Sequence, residues 1–108
     1  MKAKKKGYRV ERKIRKIFEK HGWKVTRAGG SFGDADLVCI KKGKCLLIQV
    51  KSTSKKEYYY YGKKVRSIEG FPFYLVVDFG YGKIRILHPK KRITHSSGQD
   101  LEEFLRNK

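Results

Sequence analysis

The fold is decided by the stretch DLVCIKKGKCLLIQVK, residues 36–51. Two runs rich in branched aliphatic residues, 36–40 and 45–51, flank a turn segment made of lysine and glycine. Short apolar runs on either side of such a turn are typical of a β-hairpin, and the loop length sets the register of its strands. A two-residue loop of Lys42 and Gly43 therefore predicts which side chains of the two strands face one another.

One face of this predicted hairpin collects polar side chains at the end far from the turn. The register opposes Asp36 to Gln49, and directly opposed side chains share a face of the sheet. Lys51 joins them, because side chains two positions apart in a strand point the same way. The same register puts Cys39 and Cys45 on opposite faces, so we expect no disulfide between them, and their spacing does not suggest a zinc site.

Further helices and strands are predicted on both sides of the hairpin, from apolar periodicity and turn residues. They are a helix over 7–21, a strand over 23–27, a glycine-rich loop over 28–34, a short helix around 63–69, a second hairpin over 73–79 and 83–87, and a last helix behind a capping box from Ser97 to Asp100. This order predicts a single α/β domain over 1–108, with a central mixed β-sheet flanked by helices.

The composition points to a polyanionic partner. The 28 Lys and Arg residues against 10 Asp and Glu give the 108-residue chain a net charge of +18. Such an excess destabilises a compact state by self-repulsion, and nucleic acid is the default polyanion that would relieve it. No apolar run reaches the roughly 18 residues of a membrane helix, and the cationic start lacks the apolar segment of a signal peptide. We expect a cytoplasmic, nucleoid-associated protein without a membrane partner.

The polar group of the hairpin suits metal-dependent phosphodiester hydrolysis. Asp36 and Lys51 on a partly buried face cost stability unless they are paired or bound to a metal. Carboxylate and amide oxygens hold divalent cations such as Mg²⁺, and such a cation polarises a phosphate and lowers the pKa of water. A lysine beside it can orient that water or offset charge in the transition state. In the predicted first helix, Glu11 flanks the apolar stripe and Arg12 lies on the far side.

The sequence resembles the archaeal Holliday junction resolvases of the PD-(D/E)XK nuclease superfamily. The residues that carry the likeness are Tyr8-Arg9-Val10-Glu11-Arg12, Arg27-Ala28-Gly29-Gly30-Ser31, Asp36-Leu37-Val38, Ile48-Gln49-Val50-Lys51-Ser52-Thr53 and Ser96-Ser97-Gly98. The resemblance is clearest over residues 7–53. It implies a nuclease-type sheet and a crossover junction endodeoxyribonuclease that makes paired metal-dependent cuts in four-way junction DNA, with roles in recombination and repair. Because a two-fold symmetric junction needs two cuts and the chain offers one site, a homodimer is expected.

The resemblance also implies roles for individual residues. Lys51 would be the catalytic lysine, and Ser31 would act from a mobile loop near the scissile phosphate. The expected ligands of Mg²⁺, for which Mn²⁺ can substitute, are Glu11, Asp36, Gln49 and the backbone carbonyl of Val50; the first three also count as catalytic. Contacts to DNA are expected from Arg12, Arg27, Lys4, Lys5, Lys6, Lys55 and Lys56.

One position departs from the family pattern, which usually has Glu where this chain has Gln49. An amide oxygen ligates a hard cation without adding charge, so we expect a lower metal affinity at an unchanged geometry. Two alternatives stay open: a non-catalytic, structure-selective DNA-binding module on a nuclease fold, and a nuclease of this fold that cuts other branched or single-stranded DNA. The tyrosine run Tyr58–Tyr61 fits sheet packing and a surface for DNA or a partner subunit equally well.

Overall fold

In residues 2–108, which a computed structural model describes with side chains from Gly7 onward, the chain forms two helices and nine strands. In chain order they are α1 (Lys2–Lys20), β1 (Lys24–Arg27), β2 (Leu37–Lys41), β3 (Lys44–Ser52), β4 (Glu57–Tyr59), β5 (Ser67–Ile68), β6 (Phe71–Asp78), β7 (Ile84–Leu87), β8 (Arg92–Thr94), β9 (Gln99–Asp100) and α2 (Leu101–Arg106). None of the described helices is long and apolar enough to cross a membrane.

The strands form one large mixed sheet and one small sheet. The large sheet has the order β1-β2-β3-β6-β7-β9, with β5 paired to β6. Its central pair, β3 with β6, is parallel, and the other neighbouring strands are antiparallel. β4 and β8 form the small sheet. The predicted α/β fold with a central mixed sheet is confirmed.

The β2–β3 hairpin has the predicted register. Its pairs run from Lys41 with Lys44 to Leu37 with Ile48. Both loop residues have positive φ, 47° and 80°, as a tight two-residue hairpin turn requires. The hairpin therefore holds the polar end of β3 at a fixed place in the middle of the large sheet.

Apolar side chains cover both faces of the large sheet. α1 and α2 pack on one face, where they share a cluster with buried residues of the central strands; its members include Ile14, Phe18, Leu37, Cys39, Ile48, Val50, Leu101 and Phe104. The other face carries two smaller clusters, one around Tyr60 and Leu75 and one around Leu47 and Phe73. Cys39 belongs to the first face and Cys45 packs on the other, and both thiols are free, as predicted.

The structure differs from the sequence prediction at several element boundaries and in the segment around residues 63–69. α1 begins at Lys2 rather than at residue 7, and β1 begins at Lys24 rather than at residue 23. The helix expected around 63–69 is wrong, because residues 67–68 form β5 and pair with the start of β6. Glu69 and Gly70 have positive φ, 53° and 84°, so this segment turns back on itself and satisfies its backbone groups in a local hairpin.

The second hairpin is confirmed as β6 and β7, with β6 starting two residues earlier than predicted. The predicted capping box from Ser97 to Asp100 is wrong for Ser97, which does not cap α2. Asp100 caps α2, because its carboxylate accepts a hydrogen bond from the N–H of Glu103. Ser97 instead accepts a hydrogen bond from the N–H of Thr94, which stabilises the turn between β8 and β9.

Candidate active site

Asp36 lies directly before β2, at the polar end of the hairpin. Its N–H donates to the carbonyl of Ile48 at 2.7 Å, and its Oδ2 accepts from the N–H of Val50 at 2.7 Å. Asp36 thus bonds to the residues before and after Gln49 in β3, instead of pairing with Gln49 itself as predicted. Burial raises the pKa of Asp36, although the Val50 N–H and the Lys51 charge oppose the shift. Among the described residues, no hydrogen-bond donor contacts the other carboxylate oxygen.

Glu11 reaches the same region from α1. Its side chain is largely buried, and its Oε1 lies 3.3 Å from Nε of Arg27 at the end of β1. Burial raises the pKa of Glu11, and the negative charge of Asp36 raises it further, against the effect of Arg27. Burial is thus the main factor that disfavours the ionised form of both carboxyl groups, and a bound cation would offset that cost.

Lys51 and Gln49 lie on β3, on the face opposite α1. Ile48 and Val50 point into the cluster beneath α1, so the residues that alternate with them face the other way. Both side chains are half-buried. The positive charge of Lys51 lowers the pKa of Asp36, so the lysine lies within electrostatic reach of that carboxylate.

Tyr60 is a site residue that the sequence did not single out. Its hydroxyl donates a hydrogen bond to Oε1 of Gln49 at 2.5 Å, and its ring is buried in the cluster around Leu75. Burial and the nearby charges of Asp34 and Asp36 raise the pKa of Tyr60 to about 12, so the hydroxyl keeps its proton at neutral pH. The amide oxygen of Gln49 is therefore held in one orientation by a protein donor.

Sheet packing, one of the two interpretations of the tyrosine run, holds for two of its four residues. Tyr58 and Tyr60 face inward and pack around Ile93, as sheet packing requires. Tyr59 and Tyr61 are exposed, by 45% and 76%, and their role as a surface for DNA or a partner subunit stays a prediction. The alternation of inward and outward side chains from Tyr58 to Tyr61 is the sequence signal that indicates Tyr60, because only every second tyrosine can point toward β3.

Ser31 is not brought to the carboxylates. It is exposed in the glycine-rich loop between β1 and β2, and its N–H donates to the carbonyl of Ala28 in a turn. Gly29 and Gly30 beside it have φ of 59° and 83°, conformations that glycine adopts readily. Its predicted catalytic role stays a prediction.

The cations expected to contact DNA are exposed, so far as the structure describes their side chains. Arg12 lines a groove of about 610 Å³ on the outer side of α1, together with Arg9, Lys13, Lys16 and Lys20. Lys55 and Lys56 are exposed in the loop between β3 and β4, and Arg27 pairs with Glu11. The side chains of Lys4, Lys5 and Lys6 lie outside those that the structure describes.

The donor set is one of oxygen ligands. Within the described residues, no group of three or more His, Cys, Asp and Glu side chains is placed to hold a metal. Glu11 and Asp36 supply two carboxylates, and the amide of Gln49 and the carbonyl of Val50 stay predicted additions to the set. Such all-oxygen sets suit hard divalent cations.

The helix glutamate Glu11, the aspartate Asp36 before β2 and the Gln-Val-Lys segment of β3 are among the residues that carry the family resemblance in the sequence. The family model described as archaeal Holliday junction resolvase (Hjc) matches residues 2–93, and the chain belongs to this family. The predicted family and the predicted enzyme class, a junction-resolving endonuclease, are thereby confirmed.

Two known proteins illustrate the similarity. The crossover junction endodeoxyribonuclease Hjc of Methanocaldococcus jannaschii is 27% identical over 107 residues, which cover 94% of this chain and 79% of the relative. The solved structure of Hjc from Archaeoglobus fulgidus, a Holliday junction resolvase from an archaeal hyperthermophile, matches with a TM-score of 0.71 at 20% identity. That match covers 94% of this chain and 96% of the other, and it supports the fold.

Proposed function

We propose that this chain resolves four-way DNA junctions as a homodimer, by paired metal-dependent cuts at a site formed by Glu11, Asp36, Gln49 and Lys51. The observation that carries the proposal is the clamped carboxylate of Asp36, held against the β3 backbone within reach of Glu11 and Lys51. The family to which the chain belongs supplies the junction as substrate. Residues 1–108 would act as one endonuclease domain.

The site residues fit a divalent cation, which the family suggests and for which we propose Mg²⁺, with Mn²⁺ as a substitute. Burial raises the pKa of both carboxyl groups, and one oxygen of Asp36 has no donor among the described residues. A hard cation bound there would stabilise the ionised carboxylates. Glu11, Asp36, the amide oxygen of Gln49 and the carbonyl of Val50 would hold it. When bound, such a cation polarises the phosphate and lowers the pKa of water.

The chain's own residues would position the reaction. The hydrogen bond from the Val50 N–H fixes the Asp36 carboxylate before substrate arrives, and the bond from the Asp36 N–H to Ile48 fixes its backbone, which avoids reorganisation during the reaction. Lys51 would place its positive charge next to the phosphate and offset the charge that develops as water attacks phosphorus in line. The new P–O bond forms as the bond to the 3′ oxygen breaks, which yields a 5′-phosphate and a 3′-hydroxyl.

Binding of the junction would depend on phosphate contacts. The +18 charge favours sequence-neutral binding, and contacts from Lys and Arg make such binding steeply dependent on salt. Our candidates for these contacts are four exposed cations, Arg12, Arg27, Lys55 and Lys56, of which Arg27 also pairs with Glu11. Two copies of the chain would place one site at each of the two strands that must be cut.

A second candidate function is structure-selective binding without cleavage. It is favoured by the hydrogen bond from Tyr60 to Gln49, because that bond occupies the amide oxygen which would otherwise be a metal ligand. A carbonyl oxygen has two lone pairs, so the bond leaves room for one further partner. We therefore rank cleavage first.

The test uses labelled four-way junction, linear duplex and flap DNA, each with Mg²⁺, Mn²⁺ or chelator. Symmetric nicks confined to the junction and lost with chelator are the expected result. Binding to the junction without cuts in either metal would favour the second candidate. Preferential cutting of the flap or of single strands would assign the site to other DNA structures and would contradict junction resolution.

A further inference from the structure

Tyr81 stands at the tip of the β6–β7 hairpin and is fully exposed, at 104% of its reference area. Gly80 and Gly82 flank it. Single exposed aromatic residues are common on protein surfaces, so exposure alone carries no function. The backbone conformation of Tyr81 and its neighbourhood supply the further observations.

The backbone of Tyr81 is in the left-handed region, with φ of 52°. Bulky side chains adopt this region rarely, and Gly, Asn or Asp would fit such a turn at lower cost. The turn is closed by hydrogen bonds from the N–H of Phe79 to the carbonyl of Lys83 and from the N–H of Lys83 to the carbonyl of Gly80. The backbone thus keeps a conformation that is unfavourable for tyrosine, although the exposed ring adds no packing to the fold. This combination points to a role in binding rather than in stability.

Tyr81 borders a groove at the end of β3 that also carries Lys51. The groove has a volume of about 280 Å³ and is lined by Val10, Ser52, Thr53, Ser54, Asp78, Phe79, Gly80 and Tyr81. Val10 precedes Glu11 in α1, and Ser52 follows Lys51 in β3, so the groove lies at the same end of β3 as the candidate active site. The one acidic side chain in the lining, Asp78, is paired with Lys13 at 2.8 Å, and its charge is therefore offset.

We propose that Tyr81 stacks on a nucleobase exposed at the branch point of a four-way junction and thereby favours junctions over linear duplex. The inference rests on the proposed function and names the residue that contributes to its substrate choice. Inside a duplex both faces of each base pair are covered by neighbours, whereas a branch point interrupts the stack and leaves ring faces available. Aromatic side chains bind such faces whatever the base, which suits recognition of shape.

The test compares the wild type with Tyr81→Ala, Tyr81→Trp and Lys83→Ala in chelator, where binding is measured without cleavage. The probes are a four-way junction and a linear duplex with the same arm sequences. Loss of one base stack corresponds to about a five- to 150-fold change in affinity. We expect Tyr81→Ala to weaken junction binding within this range and to leave duplex binding unchanged. Tyr81→Trp should retain the preference, since its ring also stacks.

Lys83→Ala is the matched control, because Lys83 is exposed on the same turn and carries charge rather than an aromatic ring. It should weaken both DNAs by a similar factor. A 2-aminopurine placed at the branch point should report stacking by wild type and Tyr81→Trp, and no stacking by Tyr81→Ala.

Three results would overturn the inference. They are unchanged junction binding by Tyr81→Ala, an equal loss for both DNAs, and a change in molar mass that assigns Tyr81 to contact between copies of the chain. If the wild type itself shows no preference for the junction, the proposed function fails as well. If the wild type prefers the junction and Tyr81→Ala keeps that preference, only the role of Tyr81 is contradicted.

Discussion

Replacement of Gln49 by Glu adds a third carboxylate to a site in which burial already disfavours ionisation of Glu11 and Asp36. The change keeps the shape of the side chain, and the Tyr60 hydroxyl can donate to a carboxylate as it donates to the amide. Burial raises the pKa of both Glu11 and Asp36, and the Asp36 charge adds to the shift of Glu11. Two like charges about 5 Å apart repel by about 1 to 3 kcal/mol at an effective dielectric constant between that of water and about 20, and we expect a cost in this range for the added charge. We therefore expect Gln49→Glu to unfold at a lower temperature than the wild type in chelator at neutral pH.

A divalent cation should reverse this penalty. Relief of about 1 to 3 kcal/mol corresponds to a roughly five- to 150-fold lower metal concentration for half-maximal effect. The assay follows thermal unfolding and junction cleavage across a Mg²⁺ titration. Gln99→Glu is the control, because Gln99 is exposed in β9, three positions from β3 in the sheet order, and receives the same charge. An unchanged or raised metal requirement in Gln49→Glu, or an equal shift in Gln99→Glu, would refute the reasoning.

Two further predictions concern the same site. Tyr60→Phe keeps the buried ring and removes the donor to Gln49, so it should cost about 1 kcal/mol of unfolding free energy and raise the metal concentration needed for cleavage. Denaturant unfolding and the Mg²⁺ titration measure these two effects. An unchanged metal requirement would show that the bond does not orient Gln49. Asp36 has a raised pKa, so its ionisation destabilises the metal-free fold above that pKa, and the penalty disappears as the pH falls toward the ordinary value of 3.8. Asp36→Asn should therefore be at least as stable as the wild type at pH 7 in chelator and lose that advantage at acid pH, while junction cleavage is lost. A large destabilisation at pH 7 would contradict the charge argument.

The hairpin could be predicted in detail because local chemistry determines it. A Lys42-Gly43 loop permits one tight turn, and that turn fixes the pairing from Lys41 with Lys44 onward. The position of Lys51 follows from the same register by the two-residue repeat of a strand. Such features depend on residues close together in the chain, which sequence patterns report well.

The contacts of the site side chains could not be predicted, because they depend on tertiary packing. Asp36 leaves the strand pairing to accept the Val50 N–H, a choice that the register alone does not reveal. Tyr60 meets Gln49 only because β4 pairs with β8 and lies over the face of β3 opposite α1. β5 differs from these contacts, because it forms a local hairpin with the start of β6 through the Glu69-Gly70 turn. Its two residues, Ser67 and Ile68, are too few to show the two-residue repeat of a strand.

The most direct measurement is single-turnover cleavage of a labelled four-way junction by the wild type and Lys51→Ala, with junction affinity measured in parallel in chelator. Lys44→Ala is the control, because Lys44 is an exposed lysine at the other end of β3. Removal of a positioned transition-state charge costs on the order of 10²- to 10³-fold in rate. We predict such a loss for Lys51→Ala with nearly unchanged affinity, and wild-type cleavage by Lys44→Ala. Retained cleavage by Lys51→Ala would contradict the assignment of the active site to this end of the β2–β3 hairpin.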